Sequence, residues 1–191
     1  MIIESIITTL AEDGRPHIAP MGVIWHDGHP VLAPFRPSAT LDNLARSGAA
    51  VINHTDDVRV FAGCLTGRRD WPVRPAERIA GCVLAAALAH QELAVERIEE
   101  DELRPRFHCR VVHEGMHGAF RGFNRAQAAV IEAAILVSRL HLLARDKVER
   151  EIAYLEIAIG KTAGEREREA WGWLIERIRH FHGAKATGGT R

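Results

Sequence analysis

The sequence predicts an α+β fold that is mainly β: an antiparallel sheet over the N-terminal part of the chain, followed by helices. Three observations carry this reading. Asp13-Gly14 and Asp27-Gly28 each separate runs rich in β-branched and aromatic residues, the signature of tight hairpins. Gly115, Gly118 and Gly122 mark a change in composition. Beyond them Ala126, Val130, Ala133, Val137 and Leu140 recur at helical spacing.

The elements follow in order. Ile2 to Leu10 is rich in Ile and Thr and reads as a strand. His17 to Trp25 is the second strand and Pro30 to Phe35 the third, which makes an antiparallel meander, the start of a barrel or sandwich. The second strand contains Ala19-Pro20-Met21-Gly22. Proline cannot donate to a ladder and glycine packs nothing, so this is an edge, a bulge, or a place where a ligand approaches the backbone. Ser38 to Arg46 reads as a short helix ended by Gly48. Ala49 to Asn53 returns as a strand, with Val58 to Leu65 as a further strand candidate.

Ala80 to Glu100 is ambiguous between helix and strand. Ala85-Ala86-Ala87-Leu88-Ala89 has high helix propensity, yet Phe107 to Val112 alternates as a strand. An extended Leu84–Ile98 segment turning at Glu99-Glu100-Asp101 would pair with it, so both are assigned to strand. Asn124 to Leu143 is the first C-terminal helix. The second follows Asp146 and is broken by Gly160 and Gly164, and the third runs from Glu165 to His182. The small residues of Ala126–Ala134 admit a closely packed helix, from this chain or from a dimer partner. The expected organisation is a sheet domain over 1–117, a helical domain over 118–182 and a disordered tail over 183–191.

Composition narrows the function. Lys+Arg and Asp+Glu balance at 25 each, so the basic footprint of a nucleic-acid protein is missing. No apolar run approaches membrane-spanning length, and the start of the chain lacks the features of a signal peptide. Cys64, Cys82 and Cys109 form no Cys-x-x-Cys pair. A soluble cytoplasmic protein is the expectation.

The strongest chemical signal is Phe35-Arg36-Pro37-Ser38-Ala39-Thr40-Leu41-Asp42-Asn43. Arg36 offers a planar fork that matches phosphate oxygens. Ser38 and Thr40 offer hydroxyls, and the first turn of the helix offers free N–H groups. The competing reading makes Ser38 or Thr40 an ordinary cap, Asn43 a first-turn polar residue and Arg36 a solvated charge. The loop Thr66 to Glu77, with Arg68, Arg69, Arg74 and Trp71, either covers a ligand or lies solvated on the sheet. His113-Glu114-Gly115-Met116-His117 matches the His-Glu-x-x-His of zinc hydrolases, but it follows a strand and runs into glycines, so no metal site is assigned. Neither a P-loop nor a Rossmann fingerprint is present.

Ile7-Thr8-Thr9, Ala19-Pro20-Met21-Gly22, Phe35 to Thr40 with Asn43, and Val51-Ile52-Asn53 before Thr55-Asp56-Asp57 together resemble an FMN-binding split barrel of the flavin reductase-like kind. More narrowly the chain resembles the family called domain of unknown function 447, over nearly its whole length, including Phe123-Asn124-Arg125-Ala126 at the start of the helices. The resemblance implies a six-stranded antiparallel Greek-key barrel with a C-terminal helical part, forming a homodimer with FMN near the subunit interface. It implies that Arg36, Ser38 and Thr40 hold the FMN phosphate, with Asn43 beside them. The backbone of Ala19, Pro20, Met21 and Gly22 would lie against the flavin ring, and Thr8, Thr9 and Asn53 would meet the ring or ribityl chain. His17, His54, Arg69 and Trp71 sit near these segments. The implied activity is that of an FMN-dependent oxidoreductase associated with pterin-linked one-carbon metabolism; no catalytic acid or base is identified. The alternatives are a non-catalytic flavin-binding or interaction protein and, more remotely, a zinc hydrolase at His113 and His117.

Overall fold

Both Asp-Gly turns form, with Gly14 and Gly28 at φ 80° and Asp27 also left-handed at φ 49°. They connect β1 (Ile2–Leu10), β2 (Pro16–His26) and β3 (His29–Leu32). The structure is a computed structural model that describes residues 1–188. After β3 come α1 (Ala39–Ser47), β4 (Ala49–His54) and α2 (Arg59–Leu65). A small hairpin of β5 (Val73–Pro75) and β6 (Cys82–Leu84) precedes the long strands β7 (Ala89–Glu99) and β8 (Arg106–Met116). Six strands close into an antiparallel barrel in the order β1-β2-β3-β8-β7-β4. Closure leaves none of the six as a free edge.

Alternation explains the barrel core. Ile7, Val23, Leu32, Ile52, Leu93, Phe107 and Cys109 point inward and pack with Leu41 and Leu44 of α1. The helix is held at both ends by its own sequence. Ser38 is the N-cap, its Oγ accepting from the Leu41 N–H at 3.2 Å, and Gly48 closes the helix by donating to the Leu44 carbonyl.

The chain divides into two units. One comprises Met1–Asp56 and Arg69–Phe120; the other comprises Asp57–Arg68 and the chain from Arg121 on. The second unit holds α2, α3 (Arg125–Ser138), α4 (Arg145–Thr162) and α5 (Glu165–Gly188). Its core brings Val58 and Ala62 together with Ala126, Ala129, Val130, Ala133, Val148, Trp171 and Leu174. The alanine stripe of α3 is therefore filled from within this chain. At the start of α2, Arg59 forks onto the buried Asp57 at 2.6 and 2.9 Å.

Several expectations need correction. Val58 to Leu65 forms a helix, Arg59–Leu65, whose apolar residues pack with α3 and α5. The helical domain thus recruits a segment from inside the proposed 1–117 region. Within Ala80–Ile98, Cys82–Leu84 and the residues from Ala89 on are strand, but Ala85–Leu88 turns between β6 and β7, where the Ala87 N–H bonds back to the Leu84 carbonyl. Helix α4 continues through Gly160 to Thr162. Helix α5 continues past His182 to Gly188, so those residues are not a tail; residues 189–191 lie outside the described part of the chain. Among the described residues no helix is long and apolar enough to cross a membrane.

Asn53 is the main polar tie of the barrel's outer layer. Its amide donates to the Ile6 carbonyl at 3.0 Å and to Thr8 Oγ1 at 3.1 Å, and its oxygen accepts the Leu84 N–H at 2.7 Å. Thr8 in turn donates to the Cys82 carbonyl. One side chain therefore joins β1, β4 and β6. Asn53→Ala leaves these buried groups unpaired and is expected to cost about 2–4 kcal/mol in urea unfolding, against about 1 kcal/mol for Ser38→Ala at the helix cap. Equal losses would contradict the clamp.

Candidate functional site

The start of α1 gathers polar groups at the barrel. Thr40, in the first turn, is buried, and its hydroxyl lies 3.0 Å from Nε2 of His17 on β2. His17 is half-buried. Burial, and after it the charge of the Arg69 guanidinium, push its pKa below the usual histidine value. His17 thus bonds Thr40 and feels the charge of a permanent cation. Arg36 is exposed and pairs with Glu100 at 3.3 Å, an ion pair weak enough for a dianion to displace. Ser38, Thr40, His17 and Arg69 are brought together here, with Arg36 two residues before the cap. Sequence reasoning placed His17 and Arg69 near these segments but had no spacing argument for them, since the link runs from a strand to a loop 52 residues later in the chain.

The remaining expected ligands divide into two groups. Thr9 and Asn43 face each other inside the protein, Asn43 Nδ2 donating to Thr9 Oγ1 at 2.9 Å. This bond ties α1 to β1. Thr8 and Asn53 are fully buried and serve the clamp described above. The side chains of all four are buried and bonded to protein partners. Ala19, Pro20, Met21 and Gly22 are half-buried on β2, in unbroken register from Ile7↔Ala19 to Glu4↔Gly22. The anomaly is therefore not a bulge. A β-carbon at Gly22 would lie 2.8 Å from the Ile2 side chain, so the glycine answers to β1.

A second polar cluster lies on β7 and β8. The carboxylate of Glu92 is fully buried and accepts the N–H groups of Glu77, Arg78 and Ile79 at 2.6, 2.7 and 3.1 Å. Burial alone would raise its pKa; the backbone donors, His90 and His113 outweigh that and hold it below the usual range. His90 Nε2 lies 3.4 Å from Glu92 Oε1, and His90 stacks on His117 with centroids 5.0 Å apart. In the His-Glu-x-x-His stretch, His113 to Met116 belong to β8 and His117 follows it, so the stretch is not a helix. Glu114 is exposed and accepts from Gln91 at 2.6 Å, so it cannot activate a water held by His113 and His117. The zinc-hydrolase reading fails on this geometry. Cys109 is buried, and its thiol is pushed up to about 12 by burial and Glu96, which removes it as a nucleophile.

Comparison with known proteins agrees with the fold. A family description, "protein of unknown function (DUF447) N-terminal domain", matches residues 3–118, and the companion C-terminal description matches residues 124–176. The chain belongs to the DUF447 family. The crystal structure of an FMN-bound DUF447 protein from Methanosarcina mazei is similar with a TM-score of 0.80 at 21% identity, covering 92% of this chain and 94% of that one. The flavin reductase component of a bacterial two-component tryptophan halogenase gives a TM-score of 0.52 at 16% identity, over 62% of this chain and 82% of its own. The NADH:FAD oxidoreductase of Streptomyces globisporus gives 0.51 at 13% identity, over 63% and 79%. No curated protein matches the chain. The DUF447 barrel is thus the flavin reductase-like split barrel, with the family's helices appended.

The Arg69 contact is open to direct test. His17 should titrate below the ordinary histidine midpoint by NMR, and Arg69→Ala should raise that midpoint, since removing a neighbouring cation favours the imidazolium. A midpoint that does not move would place Arg69 away from the site.

Proposed function

We propose that this protein is a cytoplasmic, homodimeric FMN-binding redox protein of the flavin reductase-like group. The observation that carries the reading is the start of α1, where a capped N-terminus, the Thr40 hydroxyl, His17 and Arg69 converge on a split barrel. These residues fit a phosphate dianion. The first-turn N–H groups and the helix dipole favour negative charge, and Arg36 and Arg69 supply permanent cations. Arg36, Ser38 and Thr40 would hold the phosphate, and Arg69 would add charge through the His17 side. The β2 backbone from Ala19 to Gly22 would lie along the ring.

FMN when bound supplies hydride or electron transfer; the polypeptide supplies position, polarity and access. Burial, and after it the Arg69 charge, lower the His17 pKa and so favour its neutral imidazole form. The FMN-bound relative from Methanosarcina mazei supports the choice of flavin. The homodimer rests on the family resemblance and on apolar side chains left exposed in the barrel unit, among them Ile2, Phe35 and Met116. The link to pterin-dependent one-carbon metabolism rests on the resemblance alone.

FMN and riboflavin differ only in the phosphate, so they isolate its contribution. Arg36→Ala is expected to weaken FMN binding by about 1.5–3 kcal/mol and leave riboflavin binding unchanged, as measured by fluorescence quenching. Equal effects on the two flavins would show that Arg36 does not touch the phosphate.

A further inference from the structure

We infer that His90, Glu92 and His113 form a binding site for a first-row transition dication, with zinc as the reference ion. The site is separate from the flavin reading. His90 and Glu92 lie on β7, His113 on β8, and Glu92 and His113 are register partners across the ladder. One ligand atom from each of the three lies within 4.8 Å of the other two.

The hydrogen-bond bookkeeping points the same way. The Arg74 guanidinium approaches Nε2 of His117, and arginine can only donate. His117 Nε2 is therefore an acceptor. The same nitrogen lies 2.8 Å from Nδ1 of His90, so His90 carries its hydrogen on Nδ1. That leaves the lone pair of a neutral His90 on Nε2, aimed at Glu92 Oε1 at 3.4 Å. Glu92 is a carboxylate fixed by three backbone donors. His113 Nε2 is buried without a hydrogen-bond partner, 3.4 Å from Glu77 Oε2. A fixed carboxylate, an imidazole nitrogen facing it and a second, unpartnered imidazole nitrogen thus lie together.

A hydrogen bond between His90 and Glu92 alone leaves His113 Nε2 unpaired. A metal ion satisfies both rings. The 3.4 Å between His90 Nε2 and Glu92 Oε1 is also the separation of two ligands in a tetrahedron with bonds of about 2.0–2.1 Å. The Nδ1–H of His90 given to His117 is the outer-shell support that metal-bound histidines use. Gly115 protects the arrangement, since a β-carbon there would lie 2.3 Å from the His90 ring. Two imidazoles and a carboxylate suit zinc or iron(II), with water or Glu77 completing the coordination. Because Glu92 also grips the backbone of Glu77 to Ile79, the ion would staple the covering loop to the barrel.

The untagged chain, stripped with a chelator and dialysed, should take up one zinc ion per chain in competition with a chromophoric chelator. Cobalt(II) in its place should show the visible d–d absorption of a four-coordinate ion. His113→Ala should weaken zinc binding by about 100-fold or more, His117→Gln by about 10-fold as a positioning change, and Glu114→Gln not at all. Binding of zinc unaffected by His113→Ala, or a wild-type chain that takes up no stoichiometric zinc and gives no such cobalt spectrum, would overturn the site.

Discussion

The seating of α1 on the barrel core is the constraint on which the rest depends. Leu41 and Leu44 enter the same core as Val23, Leu93 and Phe107, and the buried Asn43–Thr9 hydrogen bond fixes the helix against β1. A helix anchored along one face can present its N-terminus in only one direction. Ser38 then caps that end and Thr40 meets His17. The direction of the helix N-terminus is thus a product of packing: the hydrophobic residues aim it, and polar residues gather before and within its first turn.

The outer layer follows a second rule, that buried polar groups must be paired. Asn53 and Thr8 hold β6 to the barrel, while Glu92 receives three backbone donors from the segment leading into it. The loop between α2 and β7 is therefore held by two specific polar anchors. It includes Arg69, so the position of that cation beside His17 rests on the same layer. Thr8 and Asn53, which the resemblance places at the flavin, also tie this layer together.

Local signals were legible from the sequence because their causes are local. The Asp-Gly turns, the Ser38 cap and the Gly48 stop each act within a few residues of chain. Val58 to Leu65 was misread as strand because eight mostly apolar residues have no decisive period, and only packing on α3 and α5 makes them helix. Gly160 fails to break α4 because a single glycine costs a helix only about 1 kcal/mol, which packing offsets. The inward turn of Thr8, Thr9, Asn43 and Asn53 could not be read, since it depends on which strands become neighbours. The cluster of His90, Glu92 and His113 is hidden for the same reason: two of its three residues lie 21 residues or more upstream of the His-Glu-x-x-His stretch, and only the β7–β8 register unites it.

The central claim is that this barrel carries FMN at the start of α1. Its most direct test is flavin analysis of the purified, untagged chain. The account predicts a yellow protein that on heating releases FMN, and not FAD or riboflavin, at about one per chain. A colourless protein that takes up no added FMN would contradict it.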